Sequence, residues 1–224
     1  MPRFDFDKVA DRYDKWYGSP VSRMTDNLEK EAVLRFLPRS FTDGNLLDVG
    51  CGTGHWSELF CEMGYKVTGI DPSLRMLEYA NARKLDNASF IEGVGESLPF
   101  EDGSFDIVSN ITALEFADDP QATVQEMFRC VKPGGRLLFG VLNRWSYHGI
   151  KRKLRGDALF ASANLFSQSS LKRLLLESGG RVHVESSSFF FPWESLVPYA
   201  HSIEKLGRRL KSPLGTLLVG VVDK

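Results

Sequence analysis

Two patterns of apolar and polar positions alternate along the chain, and each predicts a different element of secondary structure. Short, mostly apolar runs that end in glycine, proline or a polar residue predict β-strands, and longer segments with apolar residues three and four positions apart predict helices. Strands are predicted at residues 45–49, 66–70, 89–92, 105–109, 136–142, 182–190 and 216–222. Helices are predicted at residues 5–17, 21–37, 55–63, 74–85, 121–130 and 167–179, the last with Ser167 as its N-cap.

The order of these elements indicates the fold class. Strands and helices alternate from residue 45 to residue 142, which is typical of βαβ units and a parallel sheet. The apolar run Leu137-Leu138-Phe139 suits a strand that is covered on both faces. Between the last two strands lies no long helix that must cross over, only the segment 194–210, so we expect these strands to pair in antiparallel fashion at one edge. The pattern therefore predicts an α/β protein with a mostly parallel sheet.

Composition narrows the class of protein further. The 224 residues suffice for one α/β domain, and 42% hydrophobic with 25% charged residues excludes wholesale disorder. The net charge is -1, whereas a protein that grips nucleic acid by neutralising phosphates is expected to be basic. No run approaches the roughly 18 apolar residues of a transmembrane helix, and the first residues lack the apolar core of a secretory signal. We expect a cytoplasmic location and no nucleic-acid partner.

The cysteines and histidines favour neither a disulfide framework nor a metal site. Cys51, Cys61 and Cys130 are widely spaced and form no C-x-x-C pair, and the histidines are dispersed along the chain. We expect thiols in a reducing compartment and no bound metal.

The most informative stretch for ligand binding is LLDVGCGTG, residues 46–54, at the predicted turn from the first strand into a helix. Ligands of open α/β sheets bind at this edge, and glycines let the backbone approach them. The spacing differs from G-x-G-x-x-G, the G-K-[ST] of a phosphate loop is missing, and no nearby cation would balance a pyrophosphate. Asp71 ends the second strand, where an acidic side chain accepts both hydroxyls of a ribose. The glycine-rich stretch alone fits an ordinary tight turn, and Asp71 alone fits a helix cap. Together they indicate a binding site for a nucleoside with an amino-acid tail.

Five motifs in this order resemble the class I S-adenosylmethionine-dependent methyltransferases of the small-molecule type. They are DRYDKW at 11–16, LLDVGCGTG at 46–54, VTGIDPS at 67–73, EGVGESLPF at 92–100 and CVKPGG at 130–135. The resemblance covers about residues 5–190. It implies a single domain over residues 1–224 with a Rossmann-like seven-stranded sheet, helices on both faces and an antiparallel C-terminal strand. Within it, residues 1–43 would form lid helices, 44–143 the cofactor-binding core, and 144–166 and 191–214 the substrate cover.

The resemblance also implies which residues bind S-adenosylmethionine. The residues expected around its methionine portion, largely through backbone groups, are Asp48, Gly50, Cys51, Gly52 and Asn110. Those expected at its ribose and adenine are Asp71, Pro72, Met76, Gly95 and Glu96. Tyr13 is expected to close over the cofactor.

Two positions depart from the family pattern. Val94 stands where many relatives have an aspartate that accepts the adenine amino group, so we expect main-chain recognition of adenine alone. Phe116 stands where relatives often have a histidine, which removes one imidazole from the site. Neither change touches the glycine loop or Asp71.

The catalytic residue depends on the acceptor, which these motifs do not specify. A carbon or oxygen acceptor needs a general base, whereas an amine needs only to be neutral. His148 and Tyr147 are candidates for a base or substrate ligand, although a histidine in a loop is more often polar surface. The basic run in 144–155 fits a solvated helix face first, and a contact with an anionic substrate or a membrane surface second.

Three functions therefore stay open. The first is methyl transfer to oxygen, nitrogen or carbon of a small molecule. The second is methylation of a macromolecule, against which stand the net charge and Ser109-Asn110-Ile111-Thr112 in place of an N-P-P-Y tetrapeptide. The third is non-catalytic binding of S-adenosylmethionine, since a fold alone does not establish activity. The oligomeric state is also open.

Overall fold

A single mixed sheet organises the molecule. The computed structural model describes residues 5–38, 44–155, 163–189 and 193–224. Within these ranges seven strands pair in the order β3-β2-β1-β4-β5-β7-β6. Their bounds are β1 Asn45–Val49, β2 Lys66–Asp71, β3 Ala88–Glu92, β4 Phe105–Ile111, β5 Val131–Leu142, β6 Arg181–Ser187 and β7 Leu217–Asp223.

Helices connect the strands and precede them. The α-helices of the described ranges are α1 Ala10–Tyr13, α2 Pro20–Leu34, α3 His55–Glu62, α4 Leu74–Ala82, α5 Pro120–Cys130, α6 Tyr147–Arg155, α7 Gln168–Leu176 and α8 Ala200–Arg209. Short 3-10 segments lie at Phe6–Lys8, Asp14–Gly18, Leu114–Phe116 and Glu194–Tyr199. The Ser167 hydroxyl accepts a hydrogen bond from the Ser170 N–H, so the predicted N-cap is confirmed. None of these helices is both long and apolar enough to cross a membrane.

Strands β1 to β5 run parallel, and β7 runs antiparallel between β5 and β6. Leu217, the first residue of β7, pairs with Leu142 at the end of β5 and with Ser187 at the end of β6. The ends of β4, β5 and β6 therefore share one edge of the sheet with the start of β7. The predicted fold class is confirmed, including the antiparallel pair of C-terminal strands.

The core lies on both faces of the sheet. Leu46 and Leu138 pack in one apolar cluster with residues of α2 and α3. Their neighbours Leu47 and Phe139 pack in the other cluster with residues of α5 and α7. Because successive side chains of a strand point to opposite faces, burial of both faces accounts for the nearly continuous apolar runs.

Several predicted elements have other bounds in the structure, and side-chain contacts or backbone conformation account for three of these differences. Residues 5–17 form short segments instead of one helix, because the acidic side chains of this stretch bind the core, as described below. The helix from residue 74 ends at Ala82, since Lys84 adopts a positive φ of 54°. The strand predicted at 182–190 ends at Ser187, and Ser188 has a φ of 60°. Phe189, within the predicted strand, is buried just beyond the observed one, and residues 190–191 lie outside the described residues.

Candidate functional site

The glycine loop connects β1 to α3 at the carboxyl edge of the sheet. The N–H groups of Gly50 and Cys51 donate to the Ile70 carbonyl at 2.7 and 3.2 Å, which turns the loop back over β2. Gly50 has a φ of +74°, and a Cβ on it would lie 2.3 Å from the Cβ of Ala113. Backbone conformation and space both require glycine at this position.

Asp71 ends β2 directly beside this loop. One carboxylate oxygen accepts the Gly52 N–H and the other accepts the Ser73 N–H, each at 2.9 Å. Burial raises the pKa of Asp71, and these two hydrogen bonds oppose that shift. Since a carboxylate oxygen has a second acceptor position, both oxygens can still bind hydroxyl groups.

Asp48 lies beneath the glycine loop and not in the wall of the neighbouring cavity. Its carboxylate accepts hydrogen bonds from the hydroxyls of Ser57, at 2.7 Å, and Ser109, at 3.0 Å. Burial, reinforced by the charge of Asp71, raises the pKa of Asp48 to about 6 although both hydroxyl bonds lower it. The carboxylate therefore supports the glycine loop through hydrogen bonds on the side away from the cavity.

We expect Asp48→Asn to remove a pH-dependent part of the stability. Between the usual carboxyl pKa of 3.8 and about 6, folded Asp48 keeps a proton that the unfolded chain releases. The protonated carboxyl group therefore contributes about 3 kcal/mol to the free energy of unfolding. This contribution is complete below the unfolded-state pKa and is lost as pH rises through the folded-state pKa. Urea unfolding from pH 4 to pH 8 measures it. The variant should exceed the wild type in stability at pH 8, whereas Asp102→Asn, at an exposed position, should change little; equal pH profiles would contradict the expectation.

A cavity of about 360 Å³ opens beside the loop. Its walls come from the glycine loop, the ends of β2 and β4, residues 93–96 and the N-terminal segments. The predicted cofactor residues that line it are Tyr13, Gly50, Cys51, Gly52, Asp71, Pro72, Met76, Gly95, Glu96 and Asn110. The fold thus brings together side chains and backbone groups that are distant in the sequence.

Some lining residues also hold the walls in place. The Asn110 amide donates to the Val49 carbonyl at 3.0 Å and accepts the Leu114 N–H at 2.8 Å, which joins β4 to β1. Glu96 accepts the Asp119 N–H at 3.2 Å. A Cβ on Gly95 would lie 2.8 Å from the Thr123 side chain, so the backbone at residues 93–96 sits tightly against α5.

The N-terminal segments form a cover over the cavity, with Phe6, Tyr13 and Tyr17 in its wall. Burial, together with the charge of Asp71, raises the pKa of Tyr13 to about 12, so its hydroxyl stays protonated at neutral pH.

Two carboxylates fasten this cover to the core. Asp7 accepts the Ser73 hydroxyl at 2.5 Å, and Asp14 accepts the Thr53 hydroxyl at 2.6 Å. The second oxygen of Asp14 pairs with Arg83 at 2.8 Å, and Arg83 also pairs with Glu58. Sequence reasoning missed these bonds, because nothing local links the partners.

His55 is a second group of the site that the sequence patterns do not reveal, since they predict only that it begins the helix at 55–63. The imidazole lines the cavity, and its Nε2 lies 2.8 Å from a carboxylate oxygen of Asp26 in α2. The ring of Tyr17 stacks on it with centroids 3.9 Å apart. Lys30 pairs with the other Asp26 oxygen at 2.8 Å. The one local signal is the position of His55 directly after the glycine loop.

His148 and Tyr147, the predicted candidates for a base, lie at the start of α6 and not among the residues that line the cavity. The Tyr147 ring is 6.1 Å from the ring of Trp193 and 5.6 Å from His148. The chain leaves the sheet at Asn143, and the Asn143 amide holds it against the loop before β7, which directs α6 to that side.

Comparison with known proteins identifies the family. A family model described as a methyltransferase domain matches residues 47–139. An uncharacterised protein of Methanocaldococcus jannaschii is 33% identical over 176 residues, which are 78% of this chain and 80% of that protein. An S-adenosylmethionine-dependent methyltransferase of Thermotoga maritima superposes with a TM-score of 0.78 at 27% identity, over 98% of this chain and 97% of that one. The chain belongs to the class I S-adenosylmethionine-dependent methyltransferases.

A demethylmenaquinone methyltransferase of Lactococcus lactis is also similar. It is 35% identical over 147 residues, which are 60% of this methyltransferase and 52% of that enzyme. The chain thus spans about half the length of this relative. The predicted family and enzyme class are confirmed, and the family implies S-adenosylmethionine as the cofactor. The residues fit that group, since Asp71 offers acceptors for hydroxyls and Gly50 keeps the loop clear of side chains.

Proposed function

We propose that this methyltransferase transfers the methyl group of S-adenosylmethionine to oxygen, nitrogen or carbon of a small-molecule acceptor. One observation carries the proposal. The N-terminal cover lies over the cavity and is held there by Asp7 and Asp14, which leaves a partly covered space of about 360 Å³, a size that suits a small molecule. A macromolecular acceptor would need the cover to open.

The predicted cofactor residues have distinct parts in this proposal. Asp71 holds the ribose hydroxyls, and Gly95 and Glu96 face the adenine. Gly50 and Gly52 lie against the methionine portion through backbone groups. The bound cofactor supplies a methyl group that is already activated as part of a sulfonium. The chain itself aligns the acceptor in line with that group and excludes water.

In this proposal the acceptor lies against aromatic residues of the cavity wall. Tyr17, Trp56 and Phe116 line the cavity together with Ile111 and Thr112. Aromatic side chains favour an apolar, ring-containing acceptor. The name of the Lactococcus lactis relative, a demethylmenaquinone methyltransferase, supports the same class of molecule.

His55 replaces His148 as the proposed proton acceptor. It is in the cavity wall, and Asp26 holds its Nε2, which fixes the tautomer and leaves Nδ1 as the basic nitrogen. Such a pair takes the proton of a hydroxyl or of an acidic C–H group as methyl transfer proceeds. The proposal therefore favours an oxygen or carbon acceptor over an amine.

We propose the following roles for the parts of this single domain. In this proposal residues 1–43 serve as the lid, 44–143 as the cofactor-binding core, and 144–166 and 191–214 as the outer part of the substrate site. Residues 1–4, 39–43, 156–162 and 191–192 of these ranges lie outside the described part of the chain. The cytoplasmic location stays a prediction from the sequence.

Calorimetric titration followed by an activity screen tests the proposed function. S-adenosylhomocysteine is expected to bind with a micromolar or lower Kd, while NAD and ATP serve as controls and should not bind. Labelled S-adenosylmethionine is then incubated with phenols, hydroquinones, amines and carboxylic acids, and products are detected by mass spectrometry. Cofactor binding without turnover of any small acceptor, together with methylation of a protein or RNA extract, would overturn the small-molecule proposal.

A further inference from the structure

Large apolar side chains are exposed mainly in one part of the fold. Within the described ranges the exposed large apolar residues number twelve, and eight of them come from residues 145–150 and 193–214. These eight are Trp145, Tyr147, Ile150, Trp193, Tyr199, Leu206, Leu210 and Leu214. Single exposed apolar residues are ordinary, whereas a group of this kind marks an interaction site.

The two segments lie side by side. The Tyr147 ring is 6.1 Å from that of Trp193, at the start of the second segment. The Asn143 amide donates to the carbonyls of Pro213 and Gly215, each at 2.7 Å, at the end of the second segment. Both ends of 193–215 therefore meet the stretch that begins α6. We call residues 144–151 and 193–214 together the basic apolar face.

Helix α8 divides its residues between the protein and the surface. Ala200 is buried, Glu204 binds the Ser187 hydroxyl, and Gly207 packs against the Phe189 ring, so these residues form its inner side. Leu206 and Leu210, four positions apart, form an exposed apolar stripe on one flank.

Cations occupy the other flank of α8 and its end. The exposed basic residues here are Lys205, Arg208, Arg209 and Lys211. The ion pairs that arginine forms within the described residues lie at Arg35, Arg75, Arg83, Arg129 and Arg136, and none involves a cation of this helix end. Arg144 and Lys151 of the first segment add further basic side chains. In a chain of net charge -1, this is a marked local excess of positive charge.

We propose that the basic apolar face docks on the surface of an anionic phospholipid bilayer. Amphipathic helices with leucine or tryptophan on one side and Lys or Arg on the other lie in the headgroup region, with their apolar side in the acyl boundary. Exposed Trp and Tyr favour the same interface, and Lys and Arg bind anionic headgroups.

Other occupants fit the face less well. A symmetric contact with a second copy brings the same patch of both copies together, and here it would bring cations against cations. A nucleic acid would satisfy the cations but would leave Leu206, Leu210 and Leu214 without an apolar partner.

The face also lies at a suitable edge of the sheet. The segments that carry it follow β5 and precede β7, at the same edge at which Gly50 and Asn110 line the cavity. An apolar acceptor dissolved in the bilayer would meet the protein on this side. That consequence rests on the proposed function, whereas the docking itself does not.

Vesicle sedimentation of the full chain tests the proposal. The wild type should sediment with vesicles of phosphatidylcholine and about 30% phosphatidylglycerol but little with phosphatidylcholine alone, and salt should weaken the binding. Arg208→Glu with Arg209→Glu should weaken partitioning at least about tenfold. Leu206→Ser with Leu210→Ser should weaken it several-fold. The matched controls on α7, Lys172→Glu with Arg173→Glu and Leu176→Ser, change exposed residues outside the face and should bind as the wild type does.

Four results would overturn the proposal. The first is no sedimentation with anionic vesicles. The second is an equal loss of binding in the α7 controls, which would show a general charge effect. The third is a wild-type dimer in light scattering that the leucine variants dissociate. The fourth is binding to a nucleic-acid duplex that the charge reversal abolishes, without any vesicle binding. Titration of the same variants with S-adenosylhomocysteine distinguishes failure of bilayer docking from failure of the proposed function. If the variants lose vesicle binding but keep their cofactor affinity, the proposed function is unaffected.

Discussion

Gly50→Ala is expected to lower the free energy of unfolding by about 2–5 kcal/mol and to weaken S-adenosylhomocysteine binding at least about a hundredfold. Two costs add at this position. An alanine at a φ of +74° strains the backbone, and its Cβ would lie 2.3 Å from the Cβ of Ala113. The loop must therefore move away from β4, and its backbone no longer forms the same wall of the cavity. Urea unfolding and calorimetric titration measure the two effects.

Gly134→Ala is the matched control for the backbone strain alone. Gly134 has a φ of +79°, but a Cβ there would meet nothing within 4 Å. We expect a loss of about 1–2 kcal/mol in stability and no change in cofactor affinity. If Gly50→Ala cost no more than Gly134→Ala and kept its affinity, the glycine loop would not adopt the described conformation.

Asp71→Ala is expected to weaken S-adenosylhomocysteine binding by about 1.5–3 kcal/mol, which is roughly ten- to a hundredfold. The variant loses the charged acceptors proposed for the ribose hydroxyls. It also frees the N–H groups of Gly52 and Ser73, which loosens the glycine loop. Calorimetry measures the affinity, and thermal unfolding shows whether the variant remains folded.

Two comparisons make the result specific. Asp102→Ala removes an exposed carboxylate that pairs with Arg129 and should keep the wild-type affinity. Adenine alone should bind Asp71→Ala and the wild type equally, because it lacks the ribose. Unchanged S-adenosylhomocysteine affinity in a folded Asp71→Ala protein would show that the ribose lies elsewhere.

Sequence patterns were sufficient where the information is local. The strand and helix positions follow from hydrophobic periodicity, and the glycine loop and Asp71 follow from residues that are neighbours in the chain. The sequence patterns did not show that Asp48 lies beneath the glycine loop and not in the cavity wall. Its strand is buried on both faces, so alternation could not distinguish a residue in the cavity wall from one beneath the loop.

The amino-acid sequence by itself determined the α/β class, the family and ten of the residues that line the cavity. Only the tertiary structure decided which distant residues meet. Asp14 binds Thr53 and Arg83, 39 and 69 positions away, and Asp26 binds His55, 29 positions away. The structure likewise joined residues 144–151 to 193–214 as one face. Such pairs depend on how helices pack on the sheet, and because many polar side chains could serve as partners, no local pattern selects among them.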